Sequence, residues 1–292
     1  MRPFPPRRGE ISVVLNFTKM EGCGNDYIYV DCLAGLSFDP AATAVALSPR
    51  HFAVGADGLI CICHSDVADA KMRMFNRDGT EGKMCGNGIR CVAKYLYEHN
   101  IVRKSRMTIE TLSGVRKLHL YIQNDIVGSV AVDMGKAILA PAQVPVQMEG
   151  ESVINRPLEV DGETYNVTCM SMGNPHCVTF MNNVDTLDIR TVGPAFELHS
   201  VFPDHVNAEF VQVLNHAALK MRVWERGSGE TWACGTGACA AAVAAVLNGY
   251  CSYDHDITVH LKGGTVIIRY QSDGTVIMTG DAKTVFQGSI EL

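Results

Sequence analysis

Two cysteines, Cys85 and Cys234, stand in nearly identical surroundings that suit acid–base chemistry. Each is followed by a glycine, one further residue and a second glycine, in the segments MCGNG and ACGTG. An apolar, helix-like stretch begins directly after each segment. The dipole of a helix start favours a thiolate, so we expect it to pull each cysteine pKa below about 8.5. The glycines leave the backbone N–H groups around Asn87 and Thr236 open to an anion such as a carboxylate.

A pair of such thiols predicts inversion at a carbon atom. If both sulfurs flank one α-carbon, a thiolate removes the α-proton from one face and a thiol delivers a proton to the other. N–H donors at the two helix starts then stabilise the developing enediolate, and such donors are typically worth about 3–4 kcal/mol each. A single cysteine before a buried helix is more often a small core residue, so the prediction depends on the two being equivalent.

An internal repeat makes the two cysteines equivalent. Residues 71–88 (KMRMFNRDGTEGKMCGNG) and 220–237 (KMRVWERGSGETWACGTG) align without a gap at an offset of 149, with eight of eighteen positions identical. The same offset brings Asn25 onto Asn174. The sequence therefore predicts two copies of one α/β unit, each with its own cysteine.

The elements that position the cysteines follow from the hydrophobic pattern. Alternating or β-branched runs predict strands at DYIYVD, LICIC, KMRMF, EFVQV, KMRVW and TVIIRY. Helices are predicted directly after the two cysteine segments, in IRCVAKYLYEHN and ACAAAVAAVLNG, with Gly249 as the C-cap of the second. Two further helices are expected at PAATAVALSPRHF and around IRTVGPAFELH. The expected body is an α/β protein with two lobes.

The composition of the 292-residue chain excludes several classes of protein. Its net charge is −6 and no cluster of lysine and arginine is long enough to bind nucleic acid or an anionic membrane. The eleven cysteines include no CxxC pair, which is typical of a reducing cytosol rather than a secreted disulfide framework. Cys61 and Cys63 would point to the same face of one strand, but a zinc site there is disfavoured and we expect no metal. No apolar run is long enough for a signal peptide or a membrane span.

Four segments together resemble the diaminopimelate epimerase family. They are KMEGCGNDYIYVD, MCGNGIRC, MSMGNPHC and WERGSGETWACGTGACAAA, and the resemblance extends from near Phe17 to Leu292. The family interconverts LL- and meso-diaminopimelate without pyridoxal phosphate, a step of lysine biosynthesis and, in bacteria, of peptidoglycan supply. The resemblance implies an isomerase with no cofactor. It also implies an α/β (α+β) fold of two homologous lobes, each a mixed or antiparallel sheet wrapped around a central helix, with the active site in the cleft between them.

The resemblance further implies a division of the chain and a set of partners. Residues 1–16 are expected to be an N-terminal extension, residues 17–132 with 278–292 the first lobe, and residues 133–277 the second. We expect a cytoplasmic homodimer that acts on a small molecule, diaminopimelate, and has no nucleic-acid or membrane partner.

By resemblance, Cys85 and Cys234 are the acid–base pair and the remaining site residues bind substrate. The reacting carboxylate would be held by backbone N–H groups, with Asn25 beside the reacting centre; these groups belong to Gly86, Asn87, Gly235 and Thr236. The distant end of the substrate would be recognised by Asn76, Asn174, Asn207, Glu225 and Arg226. Arg226 can pair bidentately with a carboxylate and Glu225 can accept from an ammonium, although the two also fit a solvated turn pair.

Some positions depart from the family's pattern or have simpler explanations. Gly58 stands where some members carry Gln in a GxDQ segment, which puts one substrate contact in question. His176, in GNPH, is assigned a positioning role, although a lone histidine is more often structural. Asp57 and Asp78, each beside a glycine, are interpreted as turn residues.

Three other functions fit parts of the sequence. A proline racemase would have the same fold, but that group resembles MCGHG rather than MCGNG and has little use for a distant Glu–Arg pair. A nucleotide-binding enzyme is favoured only by the loose glycine pattern of GNGIRC and GTGACA, which leaves the repeated cysteines unexplained. A thiol redox protein would need a CxxC pair, and a non-catalytic amino-acid-binding protein would not need reactive cysteines.

Overall fold

The structure is a computed structural model that describes residues 14–292. The chain divides into two units: the described residues up to Val132 together with Asp281–Leu292 form the first, and Asp133–Gly280 form the second. The predicted N-terminal extension covers residues 1–16, of which residues 1–13 lie outside the described residues. Residues 14–16 are strand rather than extension, because their backbone pairs with residues 289–291.

Residues 14–292 form 18 strands, four α-helices and one short 3-10 helix. The elements up to the division of the chain are β1 (Val14–Gly22), β2 (Asn25–Cys32), α1 (Pro40–Leu47), β3 (Gly58–Cys63), β4 (Ala70–Asn76), β5 (Glu81–Gly82), α2 (Gly86–Glu98), β6 (Arg106–Thr111), β7 (Gly114–Gln123) and β8 (Ile126–Lys136). A 3-10 helix (Pro141–Gln143) follows, and the later elements are β9 (Val153–Val160), β10 (Glu163–Ser171), β11 (Pro175–Phe180), α3 (Ile189–Glu197), β12 (Asn207–Asn215), β13 (Ala218–Glu225), β14 (Gly229–Glu230), α4 (Gly235–Leu247), β15 (Asp256–Leu261), β16 (Gly264–Tyr270), β17 (Thr275–Asp281) and β18 (Lys283–Glu291).

The strands of the first unit form a mixed sheet. Strands β18, β1, β2, β3 and β4 lie side by side, with β2 and β3 parallel and the other neighbours antiparallel. Strand β4 also pairs with the short β5 and, in parallel, with β6. Strands β6, β7 and β8 continue as an antiparallel meander.

The second unit repeats this pattern strand for strand. Strands β9 to β13 lie side by side, with β11 and β12 parallel and the other neighbours antiparallel, and β13 pairs with β14 and, in parallel, with β15. Strands β15, β16 and β17 form the equivalent meander. The bounds of β10 and α4 lie 149 positions after those of β1 and α2. The duplication predicted from the sequence is therefore confirmed.

Helices α2 and α4 form where the sequence predicted them and end in the same way. Six of the 13 residues of α4 are alanine, the best helix former, and the helix is buried on nearly all sides. Asn100 and Gly249, at equivalent positions, adopt left-handed φ angles of 60° and 78°. The N–H of Tyr250, the residue after Gly249, donates a hydrogen bond to Ala245 O at 2.8 Å. This bond satisfies a carbonyl group at the end of the helix. Each helix packs against several strands of its own unit, so each sheet wraps around a central helix.

Helix α1 is shorter than predicted. The expected helix PAATAVALSPRHF ends at Leu47, because Pro49, two residues later, has no N–H with which to continue the helical hydrogen bonds. The chain then runs irregularly to β3, and the N–H of Asp57 donates to Asp26 O at 2.8 Å. This bond fixes the end of the loop beside the start of β2.

Candidate active site

In the first unit, Cys85 is the residue that begins helix α2. Its backbone is extended, and its half-buried sulfur accepts the backbone N–H of Gly88 at 3.3 Å, so the side chain caps the helix. The backbone N–H of Asn87 also favours the ionised form of this sulfur. A Cβ at Gly88 would lie 2.6 Å from Ile60 Cδ1 and 3.5 Å from the Cys85 sulfur, so a side chain there would displace the end of Ile60. The thiol therefore lies among the N–H groups of a helix start.

Asn25 contacts the Cys85 thiol in an orientation that its neighbours fix. Cys85 Sγ donates to Asn25 Oδ1 at 3.2 Å, while Asn25 Nδ2 donates to Asp57 Oδ2 at 2.8 Å. Asp57 Oδ1 accepts from Arg50 Nη2 at 2.8 Å. Because a carboxylate only accepts, Asp57 holds the amide nitrogen on its own side and leaves the Asn25 carbonyl facing the sulfur. The interpretation of Asp57 as a mere turn residue is wrong, whereas Asp78 does lie in a turn.

Burial, rather than the helix start, decides the pKa of Cys85. Burial raises the pKa of this thiol, and the N–H groups of Gly88 and Asn87, the Arg90 guanidinium and the Tyr27 hydroxyl lower it by less. The expectation that the helix start brings the pKa below its ordinary value is therefore wrong, because desolvation of the sulfur outweighs the helix dipole. Cys85 is protonated in the free protein at neutral pH.

Arg90 is a fully buried cation within the same helix. Its Nη1 donates to Gly86 O at 3.1 Å and to Asn87 Oδ1 at 3.0 Å, and its Nε donates to Asp281 O at 2.9 Å. Gly86 and Asn87 are the residues predicted to present N–H groups to the substrate carboxylate. Arg90 therefore connects the start of α2, through hydrogen bonds, to the segment that precedes β18.

Gly58 and Asn76 are cross-strand neighbours on β3 and β4 of the first unit. Asn76 Nδ2 donates to Thr80 Oγ1 at 3.0 Å. A Cβ at Gly58 would lie 2.1 Å from Phe75 O and 2.9 Å from Tyr27 Cε1. The glutamine of the GxDQ pattern therefore has no counterpart in this chain, and the ring of Tyr27 lies beside the position instead.

In the second unit, Cys234 begins α4 as Cys85 begins α2. Its sulfur accepts the N–H of Gly237 at 3.3 Å and lies 3.5 Å from Thr236 Oγ1. A Cβ at Gly237 would lie 2.7 Å from Glu209 Oε1 and 3.2 Å from the sulfur. Gly235 and Thr236 thus form the first turn of α4 next to a buried thiol.

A buried pair, His176 and Glu209, lies next to this helix start, and both side chains are 0% exposed. His176 Nδ1 lies 2.7 Å from Glu209 Oε1, and Nε2 lies 3.0 Å from Asn174 Oδ1. Because an amide oxygen only accepts, Nε2 carries a proton, and Nδ1 accepts one when Glu209 is the protonated acid. Burial raises the pKa of Glu209, and the charge and hydrogen bond of His176 lower it by less. The sequence analysis missed Glu209, although a lone carboxylate inside the apolar strand AEFVQV is a usable signal.

Burial and two carboxylates keep Cys234 protonated. Burial raises the pKa of this thiol well above its ordinary value, and the charges of Glu225 and Glu209 raise it further. The predicted lowering of the pKa is therefore wrong for Cys234 as well. The two thiols differ because the charged neighbour that acts on Cys85 is the cation Arg90, whereas those that act on Cys234 are anions.

Several residues predicted to recognise the distant end of the substrate make defined contacts in the second unit. Asn207 Oδ1 accepts the backbone N–H of Arg226 at 2.9 Å, and the exposed Arg226 donates through Nη1 to Asp204 O at 2.7 Å. Glu225 Oε1 accepts from the hydroxyl of Thr231. The asparagine, the arginine and the glutamate therefore lie within one small region, at the end of β13 and the start of β12.

Cysteines outside the two helix starts lie mainly in the sheets. Cys61 and Cys63 both lie on β3, and Cys63 is a hydrogen-bond partner of Cys32, which pairs with it on β2. Within residues 14–292, no group of three or more His, Cys, Asp or Glu side chains is arranged to hold a metal ion. None of the helices in the described part of the chain has the length and apolar character that crossing a membrane requires.

The sequence matches known proteins over most of its length. The family model described as diaminopimelate epimerase matches residues 17–140 and 168–285. A relative described as diaminopimelate epimerase, from Acetivibrio thermocellus, is 49% identical over 279 residues, which are 95% of this chain and 99% of the relative. The similarity therefore covers both copies of the repeat.

Solved structures share the fold at low sequence identity. A phenazine biosynthesis protein of the PhzF family from Bacillus anthracis has a TM-score of 0.70 at 15% identity and covers 96% of this chain and 100% of its own. A hydroxyproline epimerase from Agrobacterium vitis has a TM-score of 0.69 at 14% identity and covers 96% of this chain and 93% of its own. Likeness at this level of identity shows the fold alone, and it confirms the predicted fold class.

Proposed function

Because this chain belongs to the diaminopimelate epimerase family, we propose that it interconverts LL-2,6-diaminopimelate and meso-2,6-diaminopimelate. The chain is then an amino-acid epimerase, an isomerase. The observation that carries the proposal is the pair of equivalent thiols at the starts of α2 and α4. Epimerisation at one α-carbon needs a base on one face and an acid on the other, and the repeat supplies one thiol for each role.

The reaction consists of two proton transfers at one carbon. One cysteine, as a thiolate, forms an S–H bond while the Cα–H bond breaks, and the electron pair moves into the carboxylate as an enediolate. The other cysteine, as a thiol, then gives its proton to the opposite face and becomes the thiolate. The enediolate oxygens accept from backbone N–H groups, each typically worth about 3–4 kcal/mol; these belong to Gly86, Asn87, Gly235 and Thr236. These steps balance without an added cofactor.

Cys85 is the thiol that ionises first. The Arg90 cation and hydrogen-bond donors favour its thiolate, whereas Glu225 and Glu209 disfavour a thiolate at Cys234. Two thiols that share a site titrate as a coupled pair, so the first proton to leave the pair comes from Cys85. Burial makes this ionisation unfavourable in the free protein.

Substrate specificity rests on the distant amino-acid group. Arg226 pairs with its carboxylate and Glu225 accepts from its ammonium. Asparagines fix the orientation of this end; they are Asn76, Asn174 and Asn207. Two contacts support these roles: Asn207 holds the backbone of Arg226, and His176 holds the amide of Asn174. Gly58 contributes no side-chain contact.

The setting of the reaction is part of the same proposal. The chain acts in the cytoplasm, in lysine biosynthesis, as a homodimer, and has no nucleic-acid or membrane partner. The abundance of cysteines without a CxxC pair supports the cytoplasmic location, and the net charge of −6 supports the lack of a nucleic-acid partner.

Incubation with LL-diaminopimelate in D2O tests the proposed activity. We expect meso-diaminopimelate to form with deuterium at the inverted α-carbon, which removes the α-proton signal from the NMR spectrum. Cys85→Ser and Cys234→Ser should each lower turnover by orders of magnitude, because a serine hydroxyl is a much weaker acid than a thiol. The control substrate is trans-4-hydroxy-L-proline, which should show no exchange. Exchange of hydroxyproline alone, or no exchange of diaminopimelate by protein with titratable thiols, would refute the proposal.

A further inference from the structure

Glu209 is a fully buried carboxyl group of the second unit to which the sequence analysis assigned no role. It lies on β12, and its side chain is 0% exposed, as is that of His176 on the neighbouring parallel strand β11. Glu209 Oε1 lies 2.7 Å from His176 Nδ1, whereas Oε2 is buried and has no hydrogen-bond partner among the described residues. Burial of a carboxyl group with one oxygen unpaired is costly, so its presence calls for a function.

The repeat shows that the fold itself does not need an acid at this position. The residue 149 positions before Glu209 is Ile60, and both side chains reach the second glycine of a cysteine segment. A Cβ at Gly237 would lie 2.7 Å from Glu209 Oε1, and one at Gly88 would lie 2.6 Å from Ile60 Cδ1. The first unit therefore places an apolar side chain where the second unit places a carboxyl group.

The contacts of His176 determine where the protons of the buried pair lie. Its Nε2 lies 3.0 Å from Asn174 Oδ1, an atom that only accepts, so Nε2 carries a proton. A second proton lies between Nδ1 and Glu209 Oε1, and the pair has no net charge whichever of these two atoms holds it. If the carboxyl proton lay on Oε2 instead, a buried O–H group would have no acceptor. The unpaired Oε2 therefore keeps this proton on the side of His176.

The asparagines at equivalent positions of the two units are held in opposite orientations. Asn25 is held by its NH2 group, which donates to Asp57, and its carbonyl accepts from the Cys85 thiol. Asn174, 149 positions later, is held by its carbonyl, and among the described residues its NH2 group has no partner. Because ammonium groups only donate, this NH2 group can bind an amino acid only through a carboxylate.

We propose that Glu209 is a positioning residue: through His176 it fixes the Asn174 amide, so that the Asn174 NH2 group is available to a carboxylate of the substrate. This inference rests on the proposed function, because Asn174 is one of the residues that orient diaminopimelate there. Glu209 contacts His176 and is shielded from the substrate by its complete burial. Its loss therefore weakens substrate binding rather than the proton transfers.

Two variants of Glu209 separate a hydrogen-bond donor at this position from a group that only fills space. Glu209→Gln keeps the shape and can donate from its NH2 group to His176 Nδ1, so the Asn174 amide keeps its orientation. Glu209→Ile introduces the residue type of the first unit and leaves Nδ1 without a partner, so the ring can hold either end of the amide. Urea unfolding checks that both variants are folded under the assay conditions.

Steady-state kinetics with diaminopimelate is the first test. For Glu209→Ile we expect KM to rise roughly tenfold, the effect of losing one hydrogen bond to a charged group, with kcat changed by less than about threefold. For Glu209→Gln we expect both values to stay within about twofold of the unaltered protein. The inference is overturned by an unchanged KM in Glu209→Ile or by an equal rise of KM in both variants. A lower kcat at unchanged KM would assign Glu209 to Cys234 instead.

Nitrogen NMR of isotope-labelled histidines is a second test and needs no substrate. The ring signals of His176 are those that disappear in His176→Gln, and their couplings to the ring protons distinguish Nδ1 from Nε2. We expect a proton on Nε2 in the unaltered protein and in Glu209→Gln, and a mixture of both ring tautomers in Glu209→Ile. An Nε2 without a proton in the unaltered protein would contradict the inference.

The two tests also separate this inference from the proposed function. A failure of the proposed function is seen as absence of α-proton exchange in the unaltered protein, and the NMR spectra then decide the role of Glu209 alone. If Glu209→Ile does not fold, the unaltered protein and Glu209→Gln decide it, because both must carry the proton on Nε2 of His176.

Discussion

Cys85 and Cys234 have the same backbone surroundings and different electrostatic ones. Each sulfur accepts the N–H of the glycine three residues later at 3.3 Å, so each cysteine caps its helix. Arg90 acts on Cys85, while Glu225 and Glu209 act on Cys234. Duplication supplied two equivalent thiols, and differences in single side chains give them unequal tendencies to ionise.

Asp57→Asn tests the chain of contacts from Arg50 through Asp57 to Asn25. An asparagine at position 57 donates as well as accepts, so the Asn25 amide loses its fixed orientation and its NH2 group can face the sulfur. We expect kcat to fall roughly tenfold with little change in KM, because a hydrogen bond to a charged group is worth about 1.5–3 kcal/mol. Steady-state kinetics checks this, with the turn variant Asp78→Asn as the control. Equal kcat values for Asp57→Asn and the unaltered protein would show that Asp57 has no such role.

At the scale of elements, glycine serves different purposes at the starts of the two central helices and at the end of α4. At the start of α2 and α4, Gly88 and Gly237 provide space, because a Cβ would lie 2.6 Å from Ile60 and 2.7 Å from Glu209. At the end of α4, Gly249 provides a left-handed backbone with φ of 78°. We therefore expect changes at the helix start to affect the reaction and changes at the helix end to affect stability.

A pair of alanine variants separates these two requirements. Gly249→Ala should lower the free energy of unfolding by about 1–2 kcal/mol, the cost of a left-handed alanine, and leave kcat unchanged. Gly88→Ala displaces the end of Ile60 and places a methyl group 3.5 Å from the Cys85 sulfur. We expect kcat to fall by at least about tenfold, because small misplacements of reacting groups are costly. Urea unfolding and kinetics on both variants check this. Full activity in Gly88→Ala would be incompatible with a close fit at the helix start.

At the scale of the whole molecule, buried thiols make stability depend on alkaline pH. Burial raises the pKa of Cys23, Cys177 and Cys234, and that of Cys91 to about 12. A thiol whose folded pKa lies above its unfolded value of about 8.5 contributes stability that is fully present below that value. This contribution is lost as the pH rises through the folded pKa, because the unfolded chain ionises first.

We therefore expect the free energy of unfolding to fall as the pH rises above about 8.5. Urea titrations in the presence of a reductant measure it, and Cys91→Ala should reduce the slope because it removes one buried thiol. A free energy of unfolding that is constant or rises over this pH range would contradict the expectation.

The internal repeat explains how much of the fold could be predicted from the sequence. The two helix starts and their strands follow local patterns, and an offset of 149 relates α2 to α4 residue for residue. The contact of Asp57 with Asn25 could not be predicted, because it joins residues that only the folded sheet brings together. The pKa of Cys85 was misjudged for a related reason: the sequence displays the helix start, but not the strands that bury the sulfur.

The fate of the α-proton during the first turnovers in D2O tests most directly whether two thiols act on opposite faces of one carbon. We expect newly formed meso-diaminopimelate to carry deuterium at the inverted carbon, while LL-diaminopimelate recovered at the same time keeps its original proton. That asymmetry follows because one sulfur takes the proton and the other delivers a solvent-derived deuteron. Product that retains the original proton, or equally fast deuteration of recovered substrate, would contradict the two-thiol account.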